Sequence, residues 1–379
     1  MTSSSLPKPT TTEPRRLGWT TGLIGVAISV LLLWWVLHDV DLRDVLERFR
    51  RVRVLPFLLM VGLATLTFPL RTVRWRYLLR DESGVLPFRP LWHATAVGFM
   101  ANNLLPARAG EFARAYVAQR LTPVRFSSAF ASIAVERVMD GIVLVAFMVV
   151  AIWAGGFSDN TMVGGVTLGF VAQGMGAVFG VALVGALLVV HWPEPAIRLT
   201  RAVTSRVLPP RGADWVAGTL EGLLTGLDSL KSFRRFAQVS FWSLIVWLVN
   251  GASFYVGFIA FGIQTPPSAA LMLQSLIGFG VAIPSAPGFF GPFEFASRVG
   301  LALYDIDAPQ AVTFAIGYHL STFLPITLLG IWSLTRAQLG LREVTGRTAV
   351  REERNKGGDD QTSAPAARSH HSPPSTPST

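Results

Sequence analysis

There is no cysteine in the 379 residues, so disulfides, thiolate metal ligands and thiol nucleophiles are excluded together. Charge is scarce as well: Asp, Glu, Lys and Arg make up only 15% of the chain, too little to cover a soluble protein of this size. Histidine is thin; His93, His191 and His319 stand isolated, and His370 and His371 lie in a polar tail. No G-x-S-x-G, Walker A, H-E-x-x-H or EF-hand pattern occurs. A hydrolase triad and a metal site therefore have no candidates, no catalytic residue is assigned and no cofactor is expected. Any enzyme here would have to work through carboxylates such as Glu111, Glu136, Asp140 and Glu294.

What the chain has is apolar length. Hydrophobic residues make up 51% of it and mean hydropathy is +0.45, which describes an all-α polytopic membrane protein. The net charge of +10 comes from arginines between and beside the hydrophobic segments, where positive-inside topology accounts for them. No basic stripe accompanies it, so nucleic acid is not an expected partner. Residues 1–16 and 342–379 are rich in Ser, Thr and Pro and read as disordered tails around a membrane domain at 17–341.

The chain is organised around Asn102 to Arg114, Asn-Asn-Leu-Leu-Pro-Ala-Arg-Ala-Gly-Glu-Phe-Ala-Arg. It follows an apolar run, Leu91 to Met100, shorter than the roughly 20 residues a spanning helix needs. Pro106 and Gly110 should break the helix between them. A polar turn at membrane depth is tolerated only inside protein or beside a water-filled cavity, so the stretch predicts a re-entrant hairpin facing such a cavity. A second stretch, Ile283 to Arg298, repeats the pattern: Pro106, Gly110, Glu111 and Phe112 against Pro287, Gly291, Glu294 and Phe295, with Pro292 and Phe293 inserted. Paired Gly/Pro-interrupted segments in two halves point to a transporter's binding site.

About six spans are expected, at Trp19–Leu37, Val54–Leu70, Phe126–Trp153, Met162–Val190, Phe236–Gly262 and Ala311–Thr335, with the two re-entrant hairpins forming an inverted repeat. Gly176 and Gly180 suggest close helix approach. Leu42, Val45, Leu46 and Phe49 recur at helical spacing, as do Val216 to Leu230, and both stretches read as interfacial helices. The arginines of 194–235 and those after Arg336 place both termini in the cytoplasm of a cell-membrane protein. The Arg-rich 39–53 loop, external in this topology, is its one exception.

Buried charge supplies the other candidates. Arg71 and Arg74 lie three apart on one helix face, either as a cytoplasmic anchor or as a phosphate-gripping pair. Glu136, Arg137 and Asp140 fall within a span, where charges cost roughly 2.5 to 3.5 kcal/mol each on insertion scales and so find partners or mark a substrate path.

The segments at 70–79, 102–115, 136–140 and 284–294, in that order, resemble the lysylphosphatidylglycerol synthase transmembrane family, a flippase-like membrane domain. The resemblance implies lipid translocation, with Arg108, Gly110, Glu111, Arg114, Glu136, Arg137, Asp140, Pro287, Gly288, Gly291 and Glu294 at the family's patterned positions. No aminoacyltransferase domain accompanies it here, so lysyl transfer is not expected. With Arg71, Arg74, Asn102 and Asn103 these residues form the expected headgroup cavity. In it Arg108 and Arg114 would hold a phosphate, while Glu111 and Glu294 would meet a cationic group or orient the arginines. The expected partners are membrane lipids with an anionic or lipid-linked headgroup, beside a second copy or a separate soluble enzyme. The alternative is a membrane-embedded enzyme or subunit acting on polyprenyl- or glyco-lipids.

Overall fold

The computed structural model describes residues 16–81, 84–106, 108–192, 194–195, 198, 202, 232–282 and 285–339. Both expected tails and the Val216–Leu230 amphipathic stretch lie outside these residues, apart from Arg16 in the first tail. Contacts separate a unit ending at Gln338 from a second at Leu339–Thr379, and every described helix belongs to the first. The helices are α1 (Arg16–Leu37), α2 (Leu42–Arg50), α3 (Val54–Leu78), α4 (Phe88–Leu104), α5 (Ala109–Leu121) and α6 (Phe126–Ala154). They continue with α7 (Leu168–His191), α8 (Phe233–Ala260), α9 (Ser268–Gly280), α10 (Pro292–Ala302) and α11 (Ala308–Arg336). Two short antiparallel ribbons, Arg80–Asp81 with Gly84–Val85 and Met162–Val163 with Val166–Thr167, are the strands among the described residues.

Five helices, α3, α6, α7, α8 and α11, are long and apolar enough to cross a membrane, and α1 with α2, bent by 80°, adds a sixth if it counts as one span. The protein is thus an all-α polytopic membrane protein. Helices α3, α8 and α11 lock together through Met60, Phe254, Phe258, Phe314 and Tyr318. Helix α7 stands outermost: 6% of its apolar window is buried against 44% in α6, which leaves Phe170 and Val181 to face lipid.

Two expectations about α7 are corrected. Its start moves from Met162 to Leu168 because Gly164 and Gly165, at φ 57° and 89°, close a two-residue hairpin of the kind that needs positive φ at both positions. Of the Gly176/Gly180 pair only Gly176 meets a neighbour: a Cβ there would lie 3.6 Å from Val145 of α6, whereas one at Gly180 would meet nothing within 4 Å. The close approach is made by Gly141 of α6, against the Phe179 ring.

The amphipathic stretch after α1 does form a helix, with Asp41 accepting from the Arg43 N–H at 2.8 Å as its cap. Val45 is buried against Val36 and Val312, while Leu42 and Leu46 stay exposed. The bend is held by Arg298 of α10, which donates to the Trp35 and Val36 carbonyls at 3.0 and 2.7 Å and to Asp39 at 2.6 Å. Those carbonyls belong to the last turn of α1 and have no partner within the helix. The Arg298 hydrogen bond holds the Asp39 carboxyl below the usual carboxylate range. Arg48 pairs with Asp44 and with Asp307 at the start of α11.

Each expected break is real. Helix α4 ends at Leu104 and α5 begins at Ala109, with Arg108 in the left-handed region at φ 54°, a conformation costing roughly 1–2 kcal/mol for a residue with a Cβ. Gly110, the residue expected to supply that turn, serves close approach instead, because a Cβ there would sit 1.9 Å from the Gly98 carbonyl oxygen. The Gly110 N–H donates to Asn102 Oδ1 at 2.9 Å, closing the pair. In the second copy α9 ends at Gly280, a 3-10 turn runs over Pro287–Phe289 and α10 starts at Pro292. Ile283 and Pro284, which open the second expected stretch, lie outside the described residues.

The two breaks match better in space than in sequence. Arg108 and Gly291 are both N-cap residues and both have positive φ, 54° and 99°. Glu111 and Glu294 each follow their cap by three residues, and Phe112 and Phe295 come next. Matched by cap, the apparent insertion of Pro292 and Phe293 disappears.

Candidate functional site

Helix α3 carries Arg71 and Arg74 three residues apart, α5 carries Arg114, and α6 carries Glu136, Arg137 and Asp140, so three adjacent helices bring their charges to one level. All but Arg137 are buried. Arg74 is fully enclosed, donates to Asp140 and to Ser243 Oγ at 3.1 Å, and lies 3.3 Å from Glu136 Oε1. Arg114 donates to both Glu136 oxygens, at 2.5 and 3.4 Å, and its guanidinium lies 3.8 Å over the Trp75 ring. Trp75 is anchored in turn to Ser132 Oγ at 2.7 Å. Asp140 also accepts from Trp247 Nε1 at 2.8 Å and from Arg71 at 3.3 Å. Arg137 bridges Glu111 at 3.4 Å and Asp140 at 3.6 Å. The structure thus joins seven of the expected residues into one network of four arginines and three carboxylates. In it the carboxylates face arginines rather than an open space.

The network borders a cavity of about 220 Å³ that opens between the two broken helix pairs. Phe99 and Asn103 of α4 line one side; Gln274, Ile277 and Gly278 of α9, with Val281, Gly288 and Phe289 of the second break, line the other. Arg71, Trp247 and Asn250 join from α3 and α8, and Tyr318, His319, Thr322 and Phe323 from α11. The walls are largely aromatic, as ligand pockets commonly are, with a few polar groups set among them. Arg108 reaches across from the first break to the second: its Nη2 donates to the Val281 carbonyl at 2.7 Å and its guanidinium lies 5.9 Å from the Phe289 ring centre.

Glu294 does not enter the cavity. Its Oε2 accepts from the Gly291 N–H at 2.7 Å, and its Oε1 lies 2.6 Å from His319 Nδ1. His319 Nε2 lies 2.8 Å from the Gly288 carbonyl oxygen, which can only accept, so that nitrogen carries a proton. His319 packs between Phe290 and Phe293, with ring centres 4.6 and 4.3 Å away. The pair therefore ties Gly288 and Gly291, and with them the 3-10 turn begun by Pro287, to α11.

Of the expected site residues, Arg71, Asn103 and Gly288 line the cavity, whereas Arg74, Arg114, Glu136 and Asp140 form the packed layer beside it. Asn102, Gly110, Pro287, Gly291 and Glu294 shape the two breaks. Most lining residues fall outside the expected set, Trp247, Asn250, Gln274 and His319 among them. Asn250 and Gln274 are legible as polar residues inside apolar helices, and they do pair, Asn250 Nδ2 donating to Gln274 Oε1 at 3.1 Å. His319 looks isolated in the sequence because its partner Glu294 lies 25 residues away on another helix. Among the described residues no group of three or more His, Asp or Glu is placed to hold a metal ion.

The chain is 26% identical over 344 residues to the glycosyltransferase AglD of Haloferax volcanii, a match covering 84% of this chain and 55% of that protein. It is 22% identical over 320 residues to a UPF0104 membrane protein of Pyrococcus horikoshii, covering 81% and 93%. A UPF0104 membrane protein of Methanothermobacter thermautotrophicus is 24% identical over 277 residues, covering 69% and 77%. The chain spans only about half the length of the first of these relatives. No solved structure gives a significant match. The family model described as the lysylphosphatidylglycerol synthase TM region matches residues 22–330, and the protein belongs to that family.

Proposed function

We propose that the protein moves a phospholipid, or a lipid-linked headgroup, between the two leaflets of the membrane. The observation that carries this reading is the cavity itself: a pocket with an arginine and three side-chain amides, set among apolar helices where two broken pairs meet. Helices α5, α9 and α10 have 13, 13 and 11 residues, hence about 20 Å or less at 1.5 Å per residue, short of the roughly 30 Å hydrocarbon core. Each pair therefore enters and turns back. Among the described residues three long helices, α6, α7 and α8, separate them, and that odd number has them enter from opposite leaflets, as an inverted repeat requires. Irregular backbone at that depth is sustainable because the second break lines the cavity and the first is bonded to it through Arg108. The arginine distribution favours cytoplasmic termini in the cell membrane.

Arg71, one of the pair expected to grip a phosphate, is the arginine that lines the cavity among the described residues, and it takes the role also expected of Arg108 and Arg114. One of its nitrogens holds Asp140, and the planar fork leaves others for phosphate oxygens. Arg108 instead latches the two breaks together. The rival reading, an enzyme acting on polyprenyl- or glyco-lipid, needs a carboxylate free to take a proton. Glu111, Glu136, Asp140 and Glu294 each already face an arginine or a histidine, which favours transport.

Reconstitution into vesicles carrying fluorescent phospholipids tests the proposal. Transfer between leaflets is expected to be faster than in protein-free vesicles for at least one anionic headgroup. Equal rates across several headgroups would overturn it.

A further inference from the structure

The walls of the cavity say which headgroup fits. Among the described residues no aspartate or glutamate lines it, although three buried carboxylates lie close by. Each of those is already committed: Glu136 to Arg74 and Arg114, Asp140 to Arg74, Arg71 and Trp247, and Glu294 to His319 and the Gly291 N–H. What does line the cavity includes donors. Arg71 is one, and Gln274, 1% exposed, is another: its Oε1 is taken by Asn250, while its Nε2 has no hydrogen-bond partner among the described residues. A buried unpaired donor is costly to maintain, and a ligand oxygen would relieve it. An ammonium could not, and it would also lie near the like charge of Arg71 with no carboxylate on the cavity wall, among the described residues, to pair with it.

We infer that the headgroup taken here is a phosphate ester bearing hydroxyls and no amine, and that an aminoacylated, cationic headgroup is rejected. The inference rests on the transport reading above and narrows its substrate class. The phosphate meets the guanidinium of Arg71. The hydroxyls meet Gln274 Nε2 and the amide oxygens of Asn103 and Asn250, while the Trp247 and Tyr318 rings cover the CH faces of the polyol. The family is described by lysylphosphatidylglycerol, a lipid whose lysyl group adds two amines to phosphatidylglycerol; those two lipids with matched acyl chains are therefore the cleanest pair of probes.

Titrate phosphatidylglycerol and lysylphosphatidylglycerol onto the full chain in detergent, reading binding by native mass spectrometry and by protection against heat. Phosphatidylglycerol is expected to bind at least tenfold more tightly. Gln274→Glu, which places a carboxylate on the wall at unchanged size, is expected to shrink that ratio tenfold or invert it. Lysylphosphatidylglycerol binding equally well or better to the unmodified protein would overturn this inference and leave the transport reading standing. Binding of neither lipid, with no transfer in vesicles, would remove both. The contrast on the unmodified protein decides the matter even if Gln274→Glu fails to fold.

Discussion

Replacing Asp140 with alanine is expected to destabilise the protein by about 3–5 kcal/mol, the usual cost of leaving a buried partner charge uncompensated. The reason lies in how many groups that carboxylate serves. It takes hydrogen bonds from Arg71, Arg74 and the Trp247 indole, and Arg137 approaches it from one turn earlier on α6. Without it, four arginines face only Glu136 and Glu111, in a layer where Arg74 and Glu136 are fully enclosed. Asp140→Asn keeps the size and can still accept from Trp247, so it should lose less than alanine does. Thermal unfolding of the purified variants in detergent checks the order: alanine lowest, asparagine between it and the unmodified protein. Equal stability of all three would mean that the network is not what holds α3, α6 and α8 together.

Arg71→Gln is expected to slow lipid transfer by about 10- to 100-fold, which corresponds to losing hydrogen bonds to a charged group worth roughly 1.5–3 kcal/mol. The fold should survive, because Asp140 retains Arg74, Arg137 and Trp247. That separates the two halves of the charged layer: Arg74 and Arg114 hold helices together, whereas Arg71 sits where the layer meets the cavity. Vesicle assays on Arg71→Gln, alongside its unfolding temperature, would show transfer falling while stability changes little. A variant that transfers at the original rate would take the phosphate role away from Arg71.

The two breaks are readable in sequence because proline and glycine act locally: Pro106 disfavours a helical residue before it, and the chain turns within two residues of it. The ion pair of Arg137 with Asp140 is readable too, since residues three apart on a helix must meet. What escapes the sequence depends on which helices become neighbours. Arg114 reads as a phosphate ligand because nothing in the sequence places α5 against Glu136 of α6 and Trp75 of α3. Glu294 reads as meeting a cationic group or orienting the arginines because its histidine comes from α11. The start of α7 is misplaced for a different reason: Met162 to Thr167 is apolar enough to continue a helix, and only the positive φ at Gly164 and Gly165 turns it into a hairpin. Hydropathy registers the composition of that segment but not its backbone.

The absence of cysteine makes the central claim, a water-accessible headgroup chamber between two re-entrant helix pairs, directly measurable. In reconstituted vesicles Thr322→Cys, on the cavity wall, should react with a small charged thiol reagent and be protected by an anionic phospholipid, while Val181→Cys, 72% exposed on the outer face of α7, should stay unreactive in the bilayer. An inert cysteine at position 322 with reagent on both sides, or one that reacts at a rate no lipid alters, would contradict the account.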